Sequence, residues 1–345
     1  MALVLVLAAA LWGLGHMLRM PYSARFLMIG LLYVAVLAVN VALPVGHPLR
    51  EATGGSAGEW LVIALAGGVV WIYAKGLGAI RQRVRPENKA PDRRDTSATE
   101  LERNARHIVL RELGGPGQKR LKEARVLVVG AGGLGAPALQ YLAAAGVGTI
   151  GVIDDDVVAN SNLQRQVIHT DARIGMPKVF SAEAAMTAQN PFVTVRPYNR
   201  RLTAEIARDL FSDYDVILDG TDDVDTRYLV NETAVALGVP LVSGALSQWE
   251  GQISIFDPSR DAPCYACVFP EPAAPGLAPS CAEGGVLGPL PGVVGAMMAA
   301  ETVKLIAGAG EPLLGRMMIY DALYGDVRTI GAKRRPDCAV CGKSR

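Results

Sequence analysis

The stretch that most constrains this chain is an aliphatic run at residues 126–129 followed at once by Gly130-Ala131-Gly132-Gly133-Leu134-Gly135. The run reads as a buried strand. After the glycines comes an Ala/Leu-rich helix ending near Gly146, then a second strand over 149–154 that stops on Asp154-Asp155-Asp156. Strand, glycine turn, helix and strand make a β-α-β unit, so the fold class is α/β and Rossmann-like. The glycines at 130, 132, 133 and 135 let the backbone approach a phosphate, and the helix N-terminus offers N–H donors with a partial positive charge. Asp154 lies where a carboxylate accepts hydrogen bonds from ribose hydroxyls. A bound nucleotide is expected.

The same glycine spacing and acid also describe a nicotinamide-dependent oxidoreductase, so the next segments decide. Asn160-Ser161-Asn162-Leu163-Gln164-Arg165-Gln166 is followed by Gly175-Met176-Pro177-Lys178, which opens a helix to about Asn190. A dehydrogenase has no evident need for a guanidinium and an ammonium just beyond the ribose carboxylate. An enzyme that breaks a triphosphate does, because negative charge accumulates on the phosphates in the transition state. Singly, Arg165 and Lys178 would pass for surface charges; together, behind this fingerprint, they read as catalytic. The alternation continues with strands at 194–198 and 215–219 around a helix at 204–211, and with strands at 241–246 and 252–256. The 215–219 strand ends in Asp219-Gly220-Thr221-Asp222-Asp223. Strand carboxyl ends face the ligand in open parallel sheets, and carboxylates beside a triphosphate call for a hard cation. Asp222 is therefore the candidate Mg²⁺ ligand, with capping of the next helix as its plainer alternative. Upstream, 101–113 reads as one amphipathic helix carrying Arg103 and Arg106, broken at 114–117.

Cys264-x-x-Cys267 and Cys338-x-x-Cys341 can supply four thiolates to a tetrahedral structural zinc, stapling the distal segment to the body. Disulfides are the rival, disfavoured in a cytoplasm. Cys281, in a Pro/Gly-rich stretch over 270–291, is either an inert thiol or a nucleophile toward an activated acyl group. The apolar segment 292–308 reads as a core helix.

Net charge is +1, so no global field argues for nucleic acid. Mean hydropathy is +0.25, and the excess sits at the N-terminus. Residues 2–18, 26–43 and 60–80 are apolar runs, against the roughly 20 residues that span a bilayer core. They are expected to form three transmembrane helices in a membrane region over 1–80. A signal peptide is the weaker reading of 2–18, and buried core helices are the weaker reading of all three. Arg19 and Arg25 flank one side, and Arg81, Arg83, Arg85, Lys89, Arg93 and Arg94 follow the third run. The basic side is the cytoplasmic side, which places the domain over 101–345 in the cytoplasm at the inner membrane. Residues 81–100 read as a basic linker that touches anionic headgroups or is merely solvated.

From about 101 to 342 the chain resembles the bacterial adenylyltransferases of the ubiquitin-activating superfamily (the HesA/MoeB/ThiF family), most of all the molybdopterin-synthase type. The resemblance rests on GAGGLG at 130–135, SNLQRQ at 161–166, GMPK at 175–178, GTDD at 220–223 and the paired cysteines. It implies ATP, Mg²⁺ and Zn²⁺ as cofactors. Gly133 would meet the phosphates, Asp154 the ribose, Ser161 through Arg165 the ATP pocket, Arg165 and Lys178 the phosphates, and Asp222 the Mg²⁺. Arg106 matches an arginine that reaches the partner protomer's ATP site, so a homodimer is implied. Cys281 matches a cysteine used in thioester or persulfide chemistry by some members. The implied reaction joins AMP to the C-terminal glycine of a small ubiquitin-like sulfur-carrier protein. Two departures stand out: Asn104-Ala105 replaces the usual Tyr-Asn before Arg106, and Asp223 replaces the usual Asn, adding a negative charge near the γ-phosphate. No sulfurtransferase-like domain follows Cys341, so a separate sulfur donor is expected. The carrier expected is the molybdopterin-synthase small subunit, with the thiamine-pathway carrier as the alternative. An oxidoreductase and an inactive membrane-bound scaffold are the readings from other classes.

Overall fold

The protein is described here by a computed structural model, over residues 2–18, 20, 22–54, 56–62, 64, 65, 67–69, 73, 97–272 and 284–342. It forms two units, Met1–Lys89 and Ala90–Arg345.

In the first unit, α1 (Ala2–Met17) and α2 (Tyr22–Ala42) pack against each other, and α3 (Pro48–Ala52) follows. A Cβ at Gly15 would stand 2.9 Å from Arg25 Cγ, so only glycine admits the arginine stem at that crossing. The second segment runs from Tyr22 rather than from 26, and Arg25 lies in its first turn instead of a loop. The physical reason is local satisfaction: Arg25 Nε donates to the Met20 carbonyl at 2.9 Å, and the guanidinium lies 5.8 Å from the Trp12 ring centroid. Val4, Val36 and Trp60 form a small core, with Tyr33 Oη donating to the Trp60 carbonyl at 2.6 Å. Leu5, Phe26, Leu27, Leu31 and Val41 point outward and exposed. Ala24–Ala42 is long and apolar enough to cross a membrane, whereas α1, at 16 residues and about 24 Å, is short of a bilayer core. The described residues of 57–69 are helical; most of the 70–80 part of the third expected span, and the linker up to residue 96, lie outside the described residues.

The second unit is built on an eight-stranded sheet of order β3-β2-β1-β4-β5-β6-β7-β8. The strands are β1 (Arg125–Val129), β2 (Thr149–Ile153), β3 (Thr194–Tyr198), β4 (Val216–Asp219), β5 (Leu241–Leu246), β6 (Glu250–Phe256), β7 (Arg316–Asp321) and β8 (Asp326–Gly331). β1 to β5 are parallel and linked through helices; β5 to β8 are antiparallel. The sheet is thus mixed, because β5 reaches β6 through a three-residue turn closed by Ser247 N–H on the Glu250 carbonyl at 2.8 Å, too short for a parallel crossover. β1 is covered on both faces: Val126 and Val128 join the core under Gly135–Ala144 and Pro289–Ala307, and Leu127 and Val129 join Phe211 and Ile217 on the other side. Pro289–Ala307 is the expected core helix, three residues earlier at its start than read.

The expected helix over 101–113 is instead two short helices, Ala98–Arg103 and Ala105–Ile108, hinged at Asn104. Gly114, expected as a break, opens the helix Gly114–Glu123 from a left-handed φ of 59°. Chain order reverses between β1 and β4, and the crevice at their carboxyl ends is where such sheets bind ligands.

Candidate functional site

A cavity of about 570 Å³ opens at that crevice. Its floor is the glycine turn. Gly130 holds φ 92°, and a Cβ there would stand 3.1 Å from the Gly220 carbonyl oxygen, so a side chain at 130 is excluded twice over. At Gly132 a Cβ would meet only Gln166 Nε2, at 3.7 Å; packing does not demand glycine there, and the free space faces the cavity. Gly133 also lines the cavity, while Gly135 is buried beneath the turn, where a Cβ would fall on the Gly130 carbonyl. The helix Gly135–Ala144 has no side-chain cap at its start, but Ala136 N–H already donates to the Gly132 carbonyl at 2.9 Å and Pro137 has none, so the N–H groups on offer to an anion are those of the cavity-lining Gly132, Gly133 and Leu134.

Around this floor stand Asp154, Asn162, Arg165, Lys178, Asp222 and Asp223. Asp154 accepts from Ala131 N–H at 2.7 Å and from Asp156 N–H at 2.8 Å, so it shapes the turn besides facing the cavity. Lys178 is buried, and its Nζ lies 2.7 Å from Asp156 Oδ2. Arg165 Nη1 donates to the Ser161 carbonyl at 3.1 Å. Ser161, Leu163 and Gln164 are off the cavity wall; Gln164 lies against Gly288 instead. The structure separates the two acids of 222–223. Asp223 caps the helix Val224–Leu237, accepting from Thr226 N–H at 3.0 Å, and Arg201 Nη2 stands 3.4 Å away. Its carboxyl is held below the ordinary range first by the Thr226 hydroxyl. Capping, the alternative for Asp222, thus falls to Asp223, and Asp222 stands exposed on the wall. Arg106 is exposed and lines no part of this chain's cavity. Cys281 lies outside the described residues.

Sequence reasoning missed buried polar groups behind this wall, of which only Arg227 reaches the cavity itself. Asp219 is fully buried, which pushes its carboxyl up against the opposing pull of Arg227. Arg227 Nε lies 3.5 Å from Asp219 Oδ2, and Ser243 Oγ donates to that oxygen at 2.9 Å. His169, whose pKa is lowered first by burial, bridges Ala131 O and Ser181 Oγ at 2.9 Å each. Arg227 was detectable: it shares a helix face with the apolar Val230 and Ala234, where a solvated arginine would not stand.

The four cysteines converge as expected. Cys264, Cys267, Cys338 and Cys341 are buried free thiols whose sulfurs all lie within 4.8 Å of one another. Sulfur separations of 3.8, 3.6 and 3.3 Å approach the edge of roughly 3.8 Å implied by tetrahedral Zn–S bonds. Burial pushes Cys264 up; it acts upward on Cys338 too, but N–H groups of Cys341 and Val340 bring Cys338 down to about 7. An all-thiol, dry, near-tetrahedral donor set fits zinc.

The family model described as the ThiF family matches residues 104–340. The chain is 50% identical over 247 residues to a Thermus thermophilus protein named sulfur carrier protein adenylyltransferase, covering 70% of this chain and 91% of that one. It is 54% identical over 245 residues to a Mycobacterium tuberculosis protein named probable adenylyltransferase/sulfurtransferase MoeZ, spanning 70% of this chain and 62% of that longer one. Among solved structures, Escherichia coli MccB with AMPCPP and MccA superposes with a TM-score of 0.62 at 22% identity, over 72% of this chain and 76% of that one, a likeness of fold. The chain belongs to the ThiF family, within the ThiF/MoeB adenylyltransferase superfamily.

Proposed function

We propose that this protein adenylates the C-terminal glycine of a small ubiquitin-like sulfur-carrier protein with ATP. The observation that carries the reading is the convergence, in one cavity, of the glycine turn at Gly130–Leu134, Arg165, Lys178 and the exposed Asp222. The names of the Thermus and Mycobacterium relatives support it.

In this reading the glycine turn and the helix start bind the triphosphate, and Asp154 takes the ribose. A carboxylate oxygen of the carrier attacks the α-phosphorus; the bond from that phosphorus to the bridging oxygen breaks, and pyrophosphate leaves with the electron pair. Arg165 and Lys178 neutralise the charge that develops on the leaving phosphates. No proton need move, so catalysis is positioning and charge. Asp222, an exposed oxygen donor with room for water and phosphate beside it, would hold Mg²⁺, which supplies charge neutralisation. The four cysteines would hold Zn²⁺ as a structural staple.

The carrier is the molybdopterin-synthase small subunit. Arg106, exposed and away from its own cavity, acts in the cavity of a second copy of the chain, making a homodimer. The outward apolar side chains of α1 and α2 lie in the bacterial cytoplasmic membrane, and the catalytic unit faces the cytoplasm.

The test is ATP–pyrophosphate exchange by the full chain with purified candidate carriers. Exchange that requires the molybdopterin-type carrier with its intact C-terminal glycine is expected. No exchange with any carrier, together with tight NAD binding, would overturn the reading; exchange with the thiamine-type carrier alone would correct the partner.

A further inference from the structure

One buried arginine in the cavity wall has every orientation fixed by protein atoms rather than left open for a ligand. Arg227, 7% exposed, sits in the first turn of Val224–Leu237. Its Nη2 donates to the carbonyls of Thr221 at 2.6 Å and Gly244 at 3.0 Å. Its Nη1 donates to Ser243 Oγ at 3.3 Å, and its Nε stands 3.5 Å from Asp219 Oδ2. The guanidinium carbon lies 5.7 Å from the centroid of the Tyr265 ring, within cation–π range. Tyr265 is itself held by the Cys264–Cys267 turn and by Asn231 Oδ1, which accepts its N–H at 2.8 Å.

These contacts tie together the carboxyl end of β4, the middle of β5 and the loop that follows β4. The held carbonyl belongs to Thr221, whose peptide bond leads directly into Asp222. On its other side Asp222 is flanked by Asp223, whose N–H donates to Thr221 Oγ1 at 3.1 Å and whose carboxylate caps the helix. A planar fork is needed for this task, because a single point charge cannot address two carbonyls, a hydroxyl and a carboxylate on different strands at once.

We propose that Arg227 is a positioning residue: paired with Asp219, it fixes the Thr221–Asp222 peptide so that the Asp222 carboxylate presents correctly to the divalent cation of the nucleotide complex. This rests on the nucleotide-site reading of Asp222 given above. Removing the guanidinium outright would strand Asp219 as a buried unpaired charge, so the informative replacement is Arg227→Lys, which keeps the charge and removes the fork. Ser243→Ala, which removes one hydroxyl between the two partners, is the gentler second variant.

The experiment uses the full chain in detergent, saturated with the nonhydrolysable analogue AMPCPP and titrated with Mn²⁺, with free Mn²⁺ read by electron paramagnetic resonance. Arg227→Lys should weaken Mn²⁺ binding about tenfold, the cost of one misplaced charge-assisted contact, and Ser243→Ala about threefold; Arg227→Lys also lowers the thermal midpoint because buried carbonyls lose their donor, so Mn²⁺ affinity well below the midpoint is the deciding readout. A purely structural role would lower the midpoint and leave Mn²⁺ affinity alone. Wild-type Mn²⁺ affinity in Arg227→Lys overturns the proposal; if that variant does not fold, wild-type affinity in Ser243→Ala overturns it. Carrier-dependent exchange by the wild type is run alongside. Its absence would sink the proposed activity, while the Mn²⁺ titration would still decide the role of Arg227.

Discussion

Replacing Lys178 by Met separates what the ion pair does for folding from what the cation does for chemistry. The Lys178 side chain is 6% exposed but its partner Asp156 is 68% exposed. An ion pair with one member largely in water contributes at most about 1 kcal/mol to stability. Met keeps most of the buried stem, and the freed Asp156 carboxylate is solvated where it stands, so no buried charge is left behind. The thermal midpoint should therefore fall by only about 2–4 °C for a domain of this size. The rate effect should be much larger. A preorganised donor aimed at developing charge is worth roughly 100- to 1,000-fold, and Arg165, turned toward the Ser161 carbonyl, would have to move to substitute for it. The assay is single-turnover pyrophosphate release with saturating carrier and ATP, paired with thermal denaturation of the same preparation. A rate within threefold of wild type would refute the role of Lys178. So would a midpoint loss large enough to explain the lost rate by unfolding.

Arg165→Ala should lower ATP–pyrophosphate exchange by roughly 100-fold or more, and near wild-type exchange would remove Arg165 from the mechanism. Cys264→Ser should lower the thermal midpoint and abolish retention of one zinc per chain by elemental analysis; full stability without zinc would end the structural reading. Asp223→Ala should cost about 1 kcal/mol at neutral pH through the lost helix cap. Because folding lowers the Asp223 pKa, its contribution is present above the unfolded value of about 3.9 and is lost as pH falls through the folded value. The stability gap between wild type and Asp223→Ala should therefore be constant near neutrality and narrow only below about pH 4; a gap that widened on acidification would contradict the assignment.

The parallel half of the sheet was legible because β1, β2, β4 and β5 are apolar runs between helices and glycine turns, and the alternation they set places the more polar β3, Thr-Val-Arg-Pro-Tyr, between them and the next helix. Asp154, Lys178 and the four cysteines were legible from spacing. In the antiparallel half β6 was legible as the strand read at 252–256, but β7 and β8 were not: β8 reads Asp-Val-Arg-Thr-Ile-Gly with all six residues exposed, so neither face imposes a period, and its pairing with β7 is set by a short turn through Gly325 at φ 69°. The break at Asn104 escaped notice because the apolar spacing of 101–113 carries on across it. Asn104 is 6% exposed, a burial that periodicity does not report. The two adjacent acids at 222–223 are chemically identical in sequence, and only the position of Thr226 relative to the helix axis assigns the cap to one of them. Arg227 was passed over because its partners, Asp219, Ser243 and Gly244, arrive from separate strands.

The four-sulfur cluster imposes an order on synthesis. Cys338 and Cys341 follow Cys264 and Cys267 by 74 residues, so at roughly 5–20 residues per second a growing chain displays the first dithiol for about 4–15 s before the second emerges. Through that interval the turn bearing Tyr265 has only half its anchors, and the wall that it braces behind the cavity is incomplete. The cysteine cluster is therefore completed last, some two hundred residues after the glycine turn at the cavity floor has been made.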